Sequence, residues 1–200
     1  MEYKVDNAID YNDILSLQQV FKNIMDAFSR PLKPYSIQSV SDNGPHVYED
    51  GVAIRDICCV FLDSTVSYYV HGDDKLSADI MEITYSNPAE IEKADFVIIK
   101  KVDGSIPWEK IKPGTLVNPH KGATVIVEIP QIHGDEIIVA RGPGIDGQAT
   151  CHVSPDIARC LIETSKLNIE YPMGYELIFV TPSGEVCAAG RRINISREGF

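Results

Sequence analysis

Apolar residues recur at spacings of three and four between positions 13 and 30, and this periodicity predicts an amphipathic helix. The residues on its apolar face are Ile14, Leu17, Phe21, Ile24 and Phe28. Pro31 follows directly and cannot continue a helix, because its ring removes a donor and clashes with the preceding turn. We therefore expect this helix to end at Arg30.

The rest of the chain alternates predicted helices with predicted strands. Further helices are expected at 51–64, 74–86 and 154–167, and a single helical turn at 107–112. Runs rich in β-branched and aromatic residues predict strands at 66–71, 94–100, 122–129, 135–141, 175–181 and 186–195. The short connections "HG" at 133–134 and "PSGE" at 182–185 predict two antiparallel hairpins among the later strands.

This interleaving predicts an α/β fold with one mixed sheet that contains all six strands and is flanked by helices. The polar segment 36–50, with "DNGP" at 42–45, is expected to form a loop or a hairpin turn. No low-complexity tract or long linker divides the chain, so residues 1–200 are expected to form one domain.

Charge narrows the class of partner. The chain has 18 Lys and Arg against 29 Asp and Glu, for a net charge of −11. Proteins that coat nucleic acid need a basic face, so this balance argues against that class. It leaves room for a local basic pocket that holds a small phosphorylated molecule.

The compartment is expected to be the cytoplasm. The first residues, "MEYKVDNAIDYND", lack the basic and apolar regions of a secretory signal, and no apolar run is long enough for a membrane span. The five cysteines are odd in number and include the adjacent pair Cys58 and Cys59, which favours reduced thiols.

No local pattern identifies a catalytic residue or a metal site. Cys151, His152 and Cys160 lack the paired spacing of structural zinc, so free buried cysteines with His152 on a loop are expected. The stretch "VHGDD" offers His71 and two aspartates for metal binding or acid–base chemistry, although a strand that ends in a polar turn explains them more simply. No Gly-x-Ser-x-Gly elbow is present.

The stretch "VARGPGIDGQ" at 139–148 is the strongest local candidate for a binding site. Its glycines match neither a Walker loop nor the dinucleotide fingerprint. Gly142 and Gly144 either serve a turn that needs unusual backbone angles or present amide hydrogens to an anion, and Arg141 adds a cation beside them. Both interpretations stay open, with the turn favoured.

Five blocks of sequence in this order resemble the H subunit of the bacterial carbon–phosphorus lyase system, the PhnH family. The blocks are "FKNIMDAFSRP", "PGTLVNPHKGATVIVEI", "ARGPGIDG", "NIEYPMGYELIFV" and "VCAAGRRINI". The resemblance implies a fold like the large domain of pyridoxal-phosphate transferases, without a cofactor held by a lysine. It also implies a homodimer that joins the G, I and J subunits. Their complex forms a ribose 1-phosphonate 5-triphosphate from ATP and a phosphonate.

The resemblance also suggests individual residues. Leu32 stands where the family has a glycine after "x-Pro", and Gly190 stands where it has a proline before an arginine, here Arg191. Further matching positions are Gly114, Thr115, Pro119, Gly122, Pro172 and Gly174, with Glu176 where an aspartate is usual. The candidate ligand-binding residues are Arg30, Arg141, Gly142, Gly144 and Arg191. Whether these arginines and Arg192 converge is left open.

Three hypotheses remain at this point: a subunit of a phosphonate-processing complex, a stand-alone enzyme on a phosphorylated small molecule, and an interaction subunit without a ligand. Trp108 and Phe200 are expected to be exposed and to support association. The H-subunit resemblance favours the first hypothesis.

Overall fold

A seven-stranded mixed sheet organises the fold. The structure is a computed structural model that describes residues 11–37, 40–41, 44–45, 52–167 and 169–197. Its strands are β1 (Tyr35–Ser36), β2 (Val40–Ser41), β3 (Gly44–Pro45), β4 (Ser67–His71), β5 (Asn87–Pro88), β6 (Phe96–Ile99), β7 (Thr124–Glu128), β8 (Glu136–Arg141), β9 (Ala149–Val153), β10 (Glu176–Val180), β11 (Glu185–Ala189) and β12 (Asn194–Arg197). Its helices are α1 (Tyr11–Ser29), α2 (Val52–Phe61), α3 (Asp74–Thr84) and α4 (Pro155–Lys166), with 3₁₀ turns at Trp108–Lys110 and Pro119–Lys121.

The strand order in the main sheet is β1-β11-β10-β7-β6-β4-β5. Strands β5, β4, β6, β7 and β10 are mutually parallel, whereas β11 is antiparallel to both of its neighbours. The parallel strands carry nearly continuous apolar runs such as "FVII" and "ELIFV", as expected for strands that are covered on both faces. The α/β class and the mixed sheet are therefore confirmed.

Two separate cores cover the two faces of this sheet. Ile98, Ile126 and Ile178 belong to the core that contains the buried residues of α1, α2 and α3. Their strand neighbours, such as Val125 and Leu177, belong to the core that contains α4 and β8. This alternation follows from the two-residue period of a strand. The flanking layers are thus three helices on one face and, on the other, one helix with a second sheet.

The prediction of a single sheet for all six strands is wrong for 135–141 and for 186–195. Strand β8 lies in a three-stranded sheet of order β12-β8-β9, because both edges of β7 are already paired, with β6 and β10. The predicted hairpin through residues 133–134 is therefore absent. The segment 186–195 is two strands, β11 and β12, which belong to different sheets and are separated by a turn at 190–193.

Other local predictions have mixed outcomes. Ser154 caps α4 by accepting from the Ile157 amide, and α1 ends at Ser29, just before Pro31. Trp108 is buried rather than exposed, because it packs in the core beneath the main sheet. Phe200 lies outside the described residues, as do positions 42–43 of the predicted turn, although β2 and β3 beside it pair as antiparallel strands. Among the described residues, no helix has the length and apolar character needed to cross a membrane.

Candidate functional site

Arg191 is the most heavily bonded arginine at the carboxyl end of β11. Its Nε donates to Glu176 Oε1 at 2.6 Å, and its backbone N donates to the other carboxylate oxygen of Glu176 at 3.2 Å. Its Nη1 donates to the carbonyl oxygen of Pro119. The Arg191 side chain is only 18% exposed. These bonds tie the turn at 190–193 to β10 and to the loop before β7.

Glycines allow three chain segments to close around Arg191. A Cβ atom on Gly174, whose φ is +142°, would lie 2.9 Å from Arg191 Cβ. One on Gly122 would lie 2.5 Å from the Gly174 carbonyl oxygen, and one on Gly114 would lie 2.8 Å from that of Pro119. Real Cβ atoms do not approach so closely, so glycine is required for this packing. Sequence blocks that are far apart along the chain therefore meet at one place.

The glycine loop, residues 142–148, joins two strands. Residues 142–148 connect the antiparallel strands β8 and β9, so the loop is the end of a hairpin and does not lead directly into a helix. Strand β9 was not predicted, and it places His152 on a strand rather than on a loop. The φ angles of Gly142 and Gly144 are +146° and +84°, which satisfies the prediction that these glycines serve a turn.

Close contacts hold this loop against two other segments. A Cβ atom on Gly142 would lie 2.6 Å from the Arg192 carbonyl oxygen. One on Gly144 would overlap the Ser29 carbonyl oxygen and lie 2.8 Å from Pro31 Cδ. The glycine loop, the exit of α1 and the turn at 190–193 are therefore in direct contact.

Four of the chain's seven arginines lie on these three touching segments or next to them. Arg30 is exposed and its Nη1 donates to the Tyr35 hydroxyl at 3.0 Å. Arg141 is also exposed, and its Nη2 donates to Gln148 Oε1 at 2.6 Å across the hairpin. The Arg192 guanidinium carbon lies 4.9 Å from the centre of the Tyr171 ring. The segments that carry or adjoin these arginines are thus in contact with one another. Their guanidinium groups, however, each contact a different residue.

Two cavities adjoin the turn at 190–193. One of about 240 Å³ is lined by Phe28, Pro31, Pro143, Glu176, Gly190, Arg191, Arg192 and Ile193. The other, of about 290 Å³, is lined on one side by α4 and Ile169 and on the other by β12, and it shares Gly190, Arg191 and Ile193 with the first. Arg191 therefore forms part of the wall between them.

Comparison with known proteins gives the family of this chain. A family model described as bacterial phosphonate metabolism protein (PhnH) matches residues 10–196. The chain belongs to the PhnH family. A protein of Stutzerimonas stutzeri named "Putative C-P lyase subunit protein HtxG" is 26% identical over 183 residues, which cover 91% of this chain and 87% of that protein.

Two positions depart from the PhnH pattern expected from the resemblance, and the structure accommodates both. Leu32 replaces a glycine, yet its φ of 63° lies in the left-handed region and its amide donates to the Ala188 carbonyl oxygen at 2.9 Å. Its side chain is buried in the core, which offsets the cost of that backbone angle. At Gly190, which replaces a proline, Glu176 holds the adjacent Arg191 amide and so restrains the backbone.

The sequence candidates for metal binding or acid–base chemistry, in "VHGDD" and among the cysteines, have local contacts of their own. Asp73 caps α3 by accepting from the Leu76 amide at 2.9 Å, and His71 Nε2 lies 3.1 Å from Ser105 Oγ. No cluster of three or more His, Cys, Asp or Glu that could hold a metal occurs in the part of the chain that the structure describes. Burial raises the pKa of Cys58, Cys160 and Cys187, with that of Cys160 reaching about 12.

Of the residues that line the smaller cavity, the sequence identified Arg191 as a candidate but not Phe28 or Arg192. Arg192 entered only through the question of whether the arginines converge, and Phe28 only as part of a helix face. The signal for Arg192 was its place directly after Arg191 in "GRR", but a sequence does not show which of two adjacent arginines is committed to a remote carboxylate. The carboxylate that binds Arg191 belongs to Glu176, which lies fifteen residues earlier on β10.

Proposed function

We propose that this chain is a subunit of a C–P lyase complex and takes part in the step that forms a ribose 1-phosphonate 5-triphosphate from ATP and a phosphonate. The PhnH family match over residues 10–196 carries the proposal. The name of the Stutzerimonas stutzeri relative, a C–P lyase subunit, supports it. Arg192 at the smaller cavity supports it further, because both substrates are anions.

The chemistry of this step indicates what a protein must supply. A phosphonate oxygen forms a bond to C1 of the ribose while the bond from C1 to N9 of adenine breaks, and adenine leaves with the proton that the phosphonate monoanion gives up. Two anionic substrates must therefore be brought together against their mutual repulsion. Arginine side chains suit this task because their planar guanidinium groups pair with phosphate and phosphonate oxygens. Arg30 and Arg141 lie next to segments in contact with each other and with the turn at 190–193, and their exposed side chains would add positive charge to this region.

Partners are part of the proposal. We expect a homodimer that also binds the G, I and J subunits in the cytoplasm. Exposed large apolar side chains offer surfaces for such contacts; they include Phe21 and Met25 on α1 and Leu116 and Val117 in the loop before β7. A strict monomer by light scattering at micromolar concentration would contradict the dimer. Failure to co-purify with any of the three subunits would contradict the complex.

A pyridoxal-phosphate cofactor is not part of the proposal, although the family resemblance relates the fold to transferases that use it. Such enzymes hold the cofactor on a lysine in a desolvated pocket. The measurement is an absorbance spectrum of the purified chain, followed by borohydride reduction. An absorbance band near the edge of the visible range, which borohydride removes while it attaches the cofactor covalently to a lysine, would contradict this expectation.

The experiment that tests the function is adenine release. Purified G, I and J subunits are incubated with ATP and methylphosphonate, with and without this chain, and free adenine is measured by chromatography. We expect release that needs both methylphosphonate and this chain. Equal release without the chain would favour an interaction subunit, whereas release by the chain alone would favour a stand-alone enzyme.

A further inference from the structure

The two adjacent arginines of the turn at 190–193 differ in how many of their donors are committed. Arg191 uses its Nε, its Nη1 and its backbone N in bonds to Glu176 and Pro119. These bonds hold Arg191 in one place. An anion that displaced Glu176 from Arg191 would leave the Glu176 carboxylate unpaired in a partly buried position, which is unfavourable. Arg191 is therefore suited to position the turn.

Arg192 has the opposite character. Its side chain is exposed, and its guanidinium group lies over the Tyr171 ring. A guanidinium held over a ring by a cation–π contact can keep N–H groups that face away from the ring free to donate. Tyr171 is itself 63% exposed, so this contact holds the cation without enclosing it. Arg192 can therefore present two parallel donors to an incoming oxyanion.

The cavity beside Arg192 adds a second kind of surface. Phe28, Pro31, Pro143 and Ile193 line it together with the two arginines and Glu176. The apolar residues come from the three segments that meet here: the end of α1, the glycine loop and the turn itself. A cation at the edge of an apolar recess of about 240 Å³ matches a ligand with a charged head and a small apolar body.

We infer that this cavity binds a small organic phosphonate or phosphate monoester, with its dianionic head on Arg192 and its organic substituent against Phe28, Pro31, Pro143 and Ile193. The preference for a phosphonate over another tetrahedral anion rests on the proposed function. Arg191 acts here as a positioning residue, because its bonds to Glu176 fix the turn that carries Arg192. Phe28 is a specificity residue, since it contacts only the substituent.

The test is calorimetric titration of the chain alone and of the complex that co-purifies with it. The probes are phenylphosphonate, methylphosphonate, inorganic phosphate and ATP. We expect phenylphosphonate to bind more tightly than methylphosphonate, and methylphosphonate more tightly than phosphate, because only the substituents reach the apolar wall. Arg192→Gln is expected to weaken phenylphosphonate binding at least about tenfold, the loss for a hydrogen bond to a charged group.

Arg159→Gln is the matched control, because Arg159 is exposed on α4 and does not line either cavity. It should change the affinity less than about twofold. Phe28→Leu should lower the ratio of phenylphosphonate to methylphosphonate affinity. This ratio is insensitive to partial unfolding, because both ligands need the same folded chain.

Several outcomes would overturn the inference. One is an Arg192→Gln variant that binds phenylphosphonate as tightly as the wild type does, or that loses no more affinity than Arg159→Gln. Another is a wild-type chain that binds phosphate as tightly as phenylphosphonate. The last is a wild-type chain that binds none of the probes, or that binds ATP and none of the other three. The proposed function would fail separately, by the absence of co-purification or of chain-dependent adenine release. Retained adenine release with no effect of Arg192→Gln on binding would reject this site and leave the function standing.

Discussion

Two connections in this chain join arginine to glycine, and they hold their arginines in contrasting ways. At the start of the hairpin loop 142–148, the Arg141 side chain is exposed and donates to Gln148 at the other end of the loop. In the turn at 190–193, Arg191 bonds to Glu176 of another strand and to the Pro119 carbonyl oxygen. The first contact is local and open to water, whereas the second joins three distant parts of the chain.

The difference shows that residue type does not decide what an arginine does. Arg191 is committed because β10 and β11 are antiparallel neighbours, which places Glu176 beside the turn that follows β11. Arg141 ends β8 in the smaller sheet, away from any such carboxylate in the described bonds. Side-chain hydrogen bonds to distant segments therefore hold the turn at 190–193. The side chain of Arg141 makes only a local contact across its own hairpin.

The largest expected effect concerns the packing of the hairpin. Gly144→Ala should lower the free energy of unfolding by about 3 kcal/mol, because it adds backbone strain at positive φ and a clash with Ser29 and Pro31. Gly147 has a similar φ of +67° but open space around it. Gly147→Ala should therefore cost only about 1 kcal/mol. Urea denaturation measures both, and equal losses would show that the contact with α1 is unimportant.

The next effect concerns the two arginines. Arg191→Ala should lower the free energy of unfolding by about 2–3 kcal/mol, because it leaves the partly buried Glu176 carboxylate unpaired. Arg141→Ala should change it by less than about 0.5 kcal/mol, as is usual for an exposed contact. The midpoints of urea denaturation compare the two variants, provided that the free energy of unfolding depends on urea concentration with the same slope in each. If both variants lose the same amount, Arg191 is not a structural residue.

A smaller effect concerns the reactivity of two cysteines that lie close in sequence to the two connections. Cys151 on β9 is half-buried, whereas Cys187 on β11 is fully buried. Burial raises the pKa of both thiols, so the thiolate that reacts is scarce in each folded site. We expect Cys151 to react with a thiol reagent at pH 8 before unfolding, and Cys187 only after unfolding. Mass spectrometry of timed samples measures this, and early labelling of Cys187 would show that the region of the turn opens readily.

Much of the fold could be predicted from the sequence because its signals are local. The period of α1, the stop at Pro31 and the apolar runs of β6, β7 and β10 each depend on residues within one segment. The assignment of β8 to the main sheet failed because strand pairing is not local. A run such as "DEIIVAR" does not show whether the edges of β7 are already occupied.

The candidate site shows the same limit. Gly142 and Gly144 were correctly interpreted as turn residues, since glycine at special angles has a local cause. The partners of Arg191 and the wall formed by Phe28 and Pro143 depend on contacts between segments that are far apart in sequence. The family resemblance pointed to the right blocks, but only the structure shows that they meet.

The most direct test compares the two connections in adenine release by the complex that we propose for this chain and the G, I and J subunits. Arg192→Gln, Arg141→Gln and Arg159→Gln carry the same change of charge at the turn, at the hairpin and on α4. With ATP and methylphosphonate, we predict that Arg192→Gln slows release at least about tenfold, while Arg141→Gln has a smaller effect and Arg159→Gln almost none. Wild-type release by Arg192→Gln, or a larger loss in Arg141→Gln, would contradict the account.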